Sequence, residues 1–314
     1  MSGKETTKGK TMKYQFYTCD VFTEERFGGN QLAVLPKAWG LSDRQMQQIT
    51  REFNYSETAF VFPAEAGQTR KVRIFTPGQE IPFAGHPNVG TAFVLASIGE
   101  LGELRSSQVA TFEEKAGQVP VQIEVANGKV TSCELTAPES LSLGETVPLD
   151  LVASAVSLSE KDIATKAHPP MFVSAGLPFI ITEVADRTAL ERVRVHSAGF
   201  EKVRDHLSGE SVRASIYLYT RTSDEVDLRA RMLAPLSGVP EDPATGSATC
   251  AVAGLLAQLD EKPTGSFRLR IAQGVEMGRP SLLSARAEKM DAVVRSTHVG
   301  GACVLVSEGA IEVE

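Results

Sequence analysis

Residues 86–92 read HPNVGTA and residues 242–248 read DPATGSA, so the chain carries one short motif twice. The offset is 156 residues, almost half of the 314 residues of the sequence. Each copy follows a strand-like segment that ends in proline, at 74–77 and 232–235, and each leads into an apolar, helix-like stretch. Two copies of one unit predict two similar lobes that face each other, with a ligand-binding cleft between them.

Length and composition indicate a globular protein of two domains. Hydrophobic residues make up 42% and charged residues 23%, a typical globular profile, and the net charge is −7. An acidic surface disfavours nucleic acid and anionic membranes as partners. No apolar stretch approaches the ~20 residues that a membrane span needs, so we expect a cytoplasmic protein without a membrane partner.

The cysteines and histidines give no sign of a disulfide framework or a metal site. The four cysteines lie far apart without a C-x-x-C pair, which favours reduced thiols, and the five histidines lack metal-ligand spacing. Residues 1–12 are polar and rich in Lys and Thr, and we expect a disordered tail there.

The order of elements predicts an α+β protein, because single helices alternate with groups of strands. Ser42 and Gln45 form a capping box that opens a helix, and Asn127-Gly128 joins two strand-like runs in a hairpin. We expect Pro87 and Pro243 to open the two repeated helices, which end near residues 97 and 259. The stretch 137–148 is the candidate linker between a first lobe at 13–137 and a second lobe at 149–302.

The repeated motif has the features of an anion-binding helix start. Unpaired N–H groups and the helix dipole favour a carboxylate there, and Gly85 and Gly246 let the backbone approach a ligand closely. Ser247 adds a hydroxyl, and an ionisable residue precedes each proline, His86 in one copy and Asp242 in the other. The alternative is two structural helix starts without a ligand, in which Asp242 is an N-cap and His86 bonds to the backbone.

Glu57 is the candidate proton carrier. It stands among Tyr55, Thr58 and Phe60, and apolar surroundings raise the pKa of a carboxyl, so that it can take and return a proton near neutral pH. The alternative from the residues alone is an exposed glutamate at the end of a strand.

Several motifs in this order resemble the PhzF-like family of phenazine biosynthesis, over about residues 14–313. They are DVF at 20–22, GNQLAV at 29–34, NYSETAF at 54–60, FTP at 75–77, PFAGHP at 82–87, EDPATGSA at 241–248 and QGVEMGRP at 273–280. The motif at 29–31 departs from the family pattern, which continues with proline where this chain has Gln31. Because Gln31 is close to the matched positions, this difference can mark a different substrate.

The resemblance implies the diaminopimelate-epimerase-like fold, with each lobe a mixed sheet rolled around a central helix and a C-terminal strand near 303–313 that packs back on the first lobe. It also implies a homodimer and a cofactor-independent isomerase, as in the isomerisation of trans-2,3-dihydro-3-hydroxyanthranilate. The family's acid/base glutamate matches Glu57, and its supporting residues match His86, Asp242, Gly246 and Ser247. The implied substrate is a small cyclic or unsaturated carboxylic acid.

Two other functions stay open on the same scaffold. Racemases of this fold use one cysteine at each helix start, where this chain has His86 and Asp242. Cys250 lies one turn further into its helix and Cys19 lies on a strand, which argues against a two-thiol inversion. The second alternative is a metabolite-binding or protein-interaction module without turnover.

Overall fold

The computed structural model describes residues 11–207 and 214–314. The first half contains eight strands and two helices: β1 Met12–Val21, β2 Asn30–Leu35, α1 Asp43–Phe53, β3 Glu57–Phe62, β4 Arg70–Phe75, β5 Glu80–Ile81, α2 Gly85–Ser97, β6 Ser107–Glu114, β7 Gly117–Ala126 and β8 Lys129–Thr136.

The described residues of the rest of the chain add eleven strands and four helices. These are β9 Ser142–Thr146, α3 Leu149–Ala155, β10 Ile163–Ala164, β11 Met171–Ser174, β12 Pro178–Val184, α4 Arg187–Arg192, α5 Ser197–His206, β13 Ile216–Arg221, β14 Leu228–Ala234, β15 Val239–Asp242, α6 Gly246–Leu259, β16 Gly265–Gln273, β17 Ser281–Met290, β18 Val293–Gly301 and β19 Cys303–Val313. Single 3₁₀ turns lie at Glu160–Asp162 and Pro235–Ser237.

The two halves repeat one order of strand pairings. In the first half, β1–β2 is antiparallel, β2–β3 parallel, β3–β4 antiparallel, β4–β6 parallel, and β6–β7–β8 antiparallel. In the second half, β11–β12, β12–β13, β13–β14, β14–β16 and β16–β17–β18 follow with the same alternation. The fold is therefore α+β with two similar halves, each a mixed sheet.

Three further pairings extend the sheets and connect them. Strand β19 pairs antiparallel with β1, and β9 pairs antiparallel with β11, so each half gains one more strand at the matching edge. Strands β18 and β8 pair antiparallel across the two halves, with Val299 opposite Leu135. The backbone hydrogen bonds of one continuous sheet therefore connect the halves.

Each half wraps its sheet around one apolar helix. All residues of α2 from Gly85 to Ala96 are buried, and most of α6 is buried as well. Gly90 of α2 lies so close to β1 and β2 that a methyl group on it would come within 2.6 Å of Leu32 and 2.7 Å of Val21. Helices α3, α4 and α5 cover the outer face of the second sheet, and α1 covers that of the first. None of the helices in residues 11–207 and 214–314 is both long and apolar enough to cross a membrane.

Two local predictions from the sequence are confirmed. The Ser42–Gln45 capping box opens α1, and Asn127 and Gly128 adopt the positive φ angles of a tight hairpin turn between β7 and β8. The stretch predicted as a linker contains β9, because the edge of β11 offers it a pairing partner. The tail prediction at 1–12 falls mainly on residues 1–10, outside the described residues, and Met12 already pairs with Val313.

Candidate functional site

The starts of the two central helices lie against each other. A methyl group placed on Gly85 would lie 3.1 Å from the backbone nitrogen of Ser247 and 3.2 Å from Cα of Gly246. A methyl group on Gly246 would in turn lie 3.5 Å from Cα of Gly85. Both helices therefore begin with a glycine at the seam between the halves, where a larger residue would push the two starts apart.

The register of the repeat differs from the prediction. Helix α2 begins at Gly85, with Pro87 inside its first turn, whereas α6 begins at Gly246, three residues after Pro243. The helix starts are thus 161 residues apart rather than 156, and the prediction that Pro243 opens α6 is wrong. Gln273 explains the difference, because its side chain bonds Asp242 O and Thr245 N and holds this segment out of a helical path.

Glu57 is the first residue of β3 and turns its carboxyl inward, toward the helix starts. Only 18% of its side chain is exposed, and Oε2 lies 3.7 Å from Nε2 of His86. Oε2 is fully buried and has no hydrogen-bond partner among the residues that the structure describes. Burial raises the pKa of Glu57 to about 7, against a small opposing effect of the Ser56 side chain. The carboxyl is therefore poised between its two protonation states near neutral pH.

His86 is the second residue of α2 and is neutral at physiological pH. Burial lowers its pKa to about 4, although the charge of Asp242 and the Gln31 backbone favour the protonated form. The approach of His86 to Glu57 is therefore a contact between a neutral imidazole and a carboxyl, not an ion pair. Its buried Nε2 has no partner in residues 11–207 and 214–314, and it can give or accept one hydrogen bond.

Asp242 is the last residue of β15 and not an N-cap, since α6 starts further along the chain. Its Oδ1 accepts a hydrogen bond from Asn30 Nδ2 at 2.8 Å, and its Oδ2 accepts one from Thr245 Oγ1 at 2.6 Å. Burial raises the pKa of Asp242 to about 6 and the charge of Glu57 adds to this effect, while His86, Thr245 and Asn30 oppose it. Glu57, His86 and Asp242 thus form one electrostatically coupled group.

Asn30 connects this group through the contacts of its side-chain amide. Its Nδ2 also donates to the backbone oxygen of Ala244 at 2.9 Å and lies 3.4 Å from Nδ1 of His86. Its Oδ1 accepts from Ser56, the residue before Glu57, at 3.2 Å. In the sequence, the one signal that marks Asn30 is its place inside the recognised motif GNQLAV at 29–34.

Arg279 holds the segment that carries Asn30. Its guanidinium pairs with Asp20 at 2.6 Å and donates to the backbone oxygens of Gly29 and Gly28. Asp20 also accepts from the backbone N–H of Phe27 at 2.7 Å. Arg279 is thus an ion-pair partner of Asp20, and this arrangement joins the two halves beside the site.

The first turn of α6 offers unoccupied donors. Gly246 and Ser247 are its first two residues, and no side chain within the described ranges caps this helix start. The same holds for α2, which begins after Ala84. The arrangement can therefore hold an anionic group at the helix starts and expose its neighbouring atoms to Glu57.

The thiols do not occupy the helix starts. The residues that precede the two helices are Ala84 and Thr245, while Cys250 lies in the second turn of α6 and Cys19 on β1. Burial raises the pKa of Cys250 to about 12, which leaves almost no thiolate at neutral pH. Within the described residues, no three His, Cys, Asp or Glu side chains are grouped to hold a metal ion.

Comparisons with known proteins agree with this architecture. The family model described as "Phenazine biosynthesis-like protein" matches residues 19–309. The chain is 37% identical over 308 residues to an uncharacterized isomerase of Mesorhizobium japonicum, covering 96% of this chain and 99% of that protein. It is 32% identical over 297 residues to the trans-2,3-dihydro-3-hydroxyanthranilate isomerase of Pseudomonas aeruginosa, covering 94% and 98%. The crystal structure of a PhzF-family phenazine biosynthesis protein of Bacillus anthracis superposes with a TM-score of 0.85 at 26% identity, covering 96% and 99%.

Proposed function

Since the chain belongs to the phenazine biosynthesis-like family of isomerases, we propose that it shifts a proton on a small cyclic or unsaturated carboxylic acid, with Glu57 as both acid and base. One observation carries this proposal. The Oε2 atom of Glu57 is buried at the seam between the halves, faces His86, and has no partner among the described residues. A buried polar atom without a partner costs stability, and such positions are typical of groups that wait for a substrate.

The proposed reaction is a proton transfer without any change in oxidation state. The Glu57 carboxylate removes a proton from an activated C–H bond, and the electron pair of that bond enters the neighbouring unsaturated system. The protonated Glu57 then delivers the proton to a different carbon on the same face, which restores the carboxylate. A pKa of about 7 suits both steps, since neither form of the carboxyl is strongly favoured.

Groups of both halves bind and orient the substrate in this proposal. The N–H group of Gly246 and the Ser247 hydroxyl hold its carboxylate, and Gly85 lets the two helix starts approach each other closely at the seam. Asp242 accepts a hydrogen bond from a substrate amine or hydroxyl, while neutral His86 bonds either the substrate or Glu57. Charge that develops on the substrate is then stabilised by fixed dipoles, without a cofactor.

The first substrate to test is trans-2,3-dihydro-3-hydroxyanthranilate, because a relative of 32% identity is named for its isomerisation. Gln31 stands beside His86, and its backbone acts on the His86 pKa. A change at this place can alter which ring substituents fit. The proposal is therefore for the substrate class, and this compound is the first member of it to test.

We also propose a homodimer in the cytoplasm. The resemblance to the family supports the dimer, and the four free thiols suit a reducing compartment. Light scattering on a size-exclusion column measures the mass of the particle, for which we expect twice 33.7 kDa.

The test is turnover in D₂O, followed by NMR. The wild-type protein should isomerise the dihydro-hydroxyanthranilate and place solvent deuterium on the newly protonated carbon. Glu57→Gln should lower the rate by roughly 10²–10⁴-fold, the usual contribution of a positioned acid/base group. The matched control is Glu52→Gln, on the exposed face of α1, which should turn over normally. A Glu57→Gln variant with full activity would refute the role of Glu57.

A further inference from the structure

A second buried carboxyl, Glu114, lies beside the start of α2 and has no role in the mechanism above. It is the last residue of β6. Its side chain lies on the same face of this strand as Ala110 and Phe112, which are buried in the core around α2. Both of its carboxyl oxygens are fully buried and lack a hydrogen-bond partner in the part of the chain that the structure describes. A charged carboxylate in that position would lose its hydration without compensation.

Asn88, in the first turns of α2, is the polar group that faces Glu114. Asn88 is completely buried, and its Nδ2 donates to the backbone oxygen of Ala84 at 2.9 Å. Its Oδ1 has no partner among residues 11–207 and 214–314, and its amide is the one side chain that acts on the Glu114 pKa. An unpaired amide oxygen and an unpaired carboxyl are thus both buried beside the start of α2.

We propose that Glu114 is a neutral carboxylic acid that pairs with the Asn88 amide and thereby positions the first turn of α2. The acid O–H donates to Asn88 Oδ1, and the second hydrogen of Asn88 Nδ2 donates to the acid carbonyl. Every buried polar atom of the pair is then satisfied, which an ionised Glu114 cannot achieve because Oδ1 needs a donor. Asn88 and Ala84 enclose the turn that carries Gly85 and His86, so the acid–amide pair sets the distance from His86 to Glu57.

The charged groups nearby leave Glu114 electrostatically isolated. His86, the titratable residue of α2, is neutral, and Lys115 and Glu80 pair with each other at 2.6 Å. Glu113 accepts hydrogen bonds from the backbone N–H groups of residues 65, 66 and 68. Burial is accordingly the main cause that raises the pKa of Glu114 to about 8, with Asn88 acting weakly in the opposite direction.

The protonation state can be measured without any substrate. The infrared difference spectrum of wild type minus Glu114→Gln should show a neutral carboxyl band at about pH 6 that is replaced by carboxylate bands at about pH 10. The Glu57 carboxyl is present in both proteins and cancels. Carboxylate bands at the lower pH would overturn the proposal, even if the protein proves to be the proposed isomerase.

The positioning role is tested by hydrogen exchange and kinetics. Glu114→Ala should accelerate amide exchange at Asn88 and Val89 roughly fivefold to tenfold, with the amides of Val252 and Ala253 in α6 unchanged. It should lower kcat more than it changes KM, and Glu114→Gln, whose amide can form the same pair, should restore both exchange and kcat. This kinetic readout rests on the proposed function, whereas the exchange readout does not. Unchanged exchange in Glu114→Ala would overturn the positioning role.

Discussion

The two halves share their strand pairings but not their chemistry. Ala59 of β3 and Tyr217 of β13 both face the central helix of their half, on strands that pair in parallel with β2 and β12. Two residues earlier, the first half has Glu57 and the second half has Ser215. The second half therefore has no carboxyl at the place from which Glu57 reaches the seam.

The starts of the two central helices, in contrast, have a similar backbone geometry in both halves. Both helices begin with glycine, Gly85 and Gly246, and expose first-turn N–H groups without a side-chain cap from the described residues. The difference lies in the next residue, His86 in one half and Ser247 in the other. The fold thus supplies two similar helix starts, whereas the proposed proton transfer depends on a single side chain of the first half, Glu57.

Apart from the loss of Glu57 itself, the largest effect should come from a side chain inserted between the two helix starts. Gly85→Ala places a methyl group against the backbone of Gly246 and Ser247, atoms that cannot rotate away. We expect a rate loss of about 10²-fold, because a displacement of about 1 Å at a reacting centre costs that much. Steady-state kinetics measure it, with Gly78→Ala as the control, since the nearest atom there is 3.7 Å away. Equal rates for both variants would mean that the contact of the helix starts is only structural.

A smaller effect should follow from breaking the bonds that connect the halves at Asp242. In Asp242→Asn, the new amide must face one of the donors Asn30 or Thr245, so one hydrogen bond is lost. A lost hydrogen bond to a buried charged group corresponds to roughly tenfold to hundredfold in rate. The control is Asp205→Asn at an exposed site. If Asp242→Asn kept the full kcat at every pH, Asp242 would have no role in the reaction.

A change in pH should affect the reaction rate and the stability of the protein in opposite directions. Glu57 must be ionised to remove a proton, so kcat/KM should rise as the pH increases through about 7. The folded-state pKa values of Glu57 and Asp242 are raised above their ordinary values, to about 7 and about 6. Their contribution to the free energy of unfolding is therefore complete below about pH 4 and is lost as the pH rises through these values.

Thermal unfolding at several pH values measures this loss. Glu57→Gln should flatten the decrease in Tm between about pH 4 and pH 7, because its amide does not titrate. A profile that stays the same in the variant would show that the Glu57 pKa is not raised.

The smallest effect on rate should come from the thiols. Cys19→Ala and Cys250→Ala leave the proposed proton carrier intact, so we expect unchanged kcat and a loss of roughly 1 kcal/mol in stability from the vacated volume. Kinetics and chemical unfolding of the two variants measure both quantities. If either variant abolished turnover while Glu57→Gln retained it, a thiol mechanism of the racemase type would replace the present one.

The order of short motifs predicted the family and the fold class. The C-terminal ends of α2 and α6 were predicted because apolar stretches and turn residues are local signals. It also identified Glu57 as a candidate, and the structure brings it within 3.7 Å of His86. The lobe boundaries at 13–137 and 149–302 stay predictions.

Other features were beyond sequence patterns because they depend on contacts between distant segments. Gln273 lies 28 residues from Thr245 and decides where α6 starts. Asn30 lies 212 residues from Asp242 and bonds it across the seam. Helices α3 and α5 were missed, since their apolar faces become meaningful only against the outer face of the second sheet.

The most direct measurement is a crystal structure of Glu57→Gln with the intact dihydro-hydroxyanthranilate bound. The account predicts the substrate carboxylate on the N–H group of Gly246 and the hydroxyl of Ser247. It predicts the two exchanging carbons on the face toward residue 57, within about 3–3.5 Å of its side chain. A substrate bound away from the seam, or with both carbons turned from residue 57, would contradict the assignment of proton transfer to a single carboxyl of the first half.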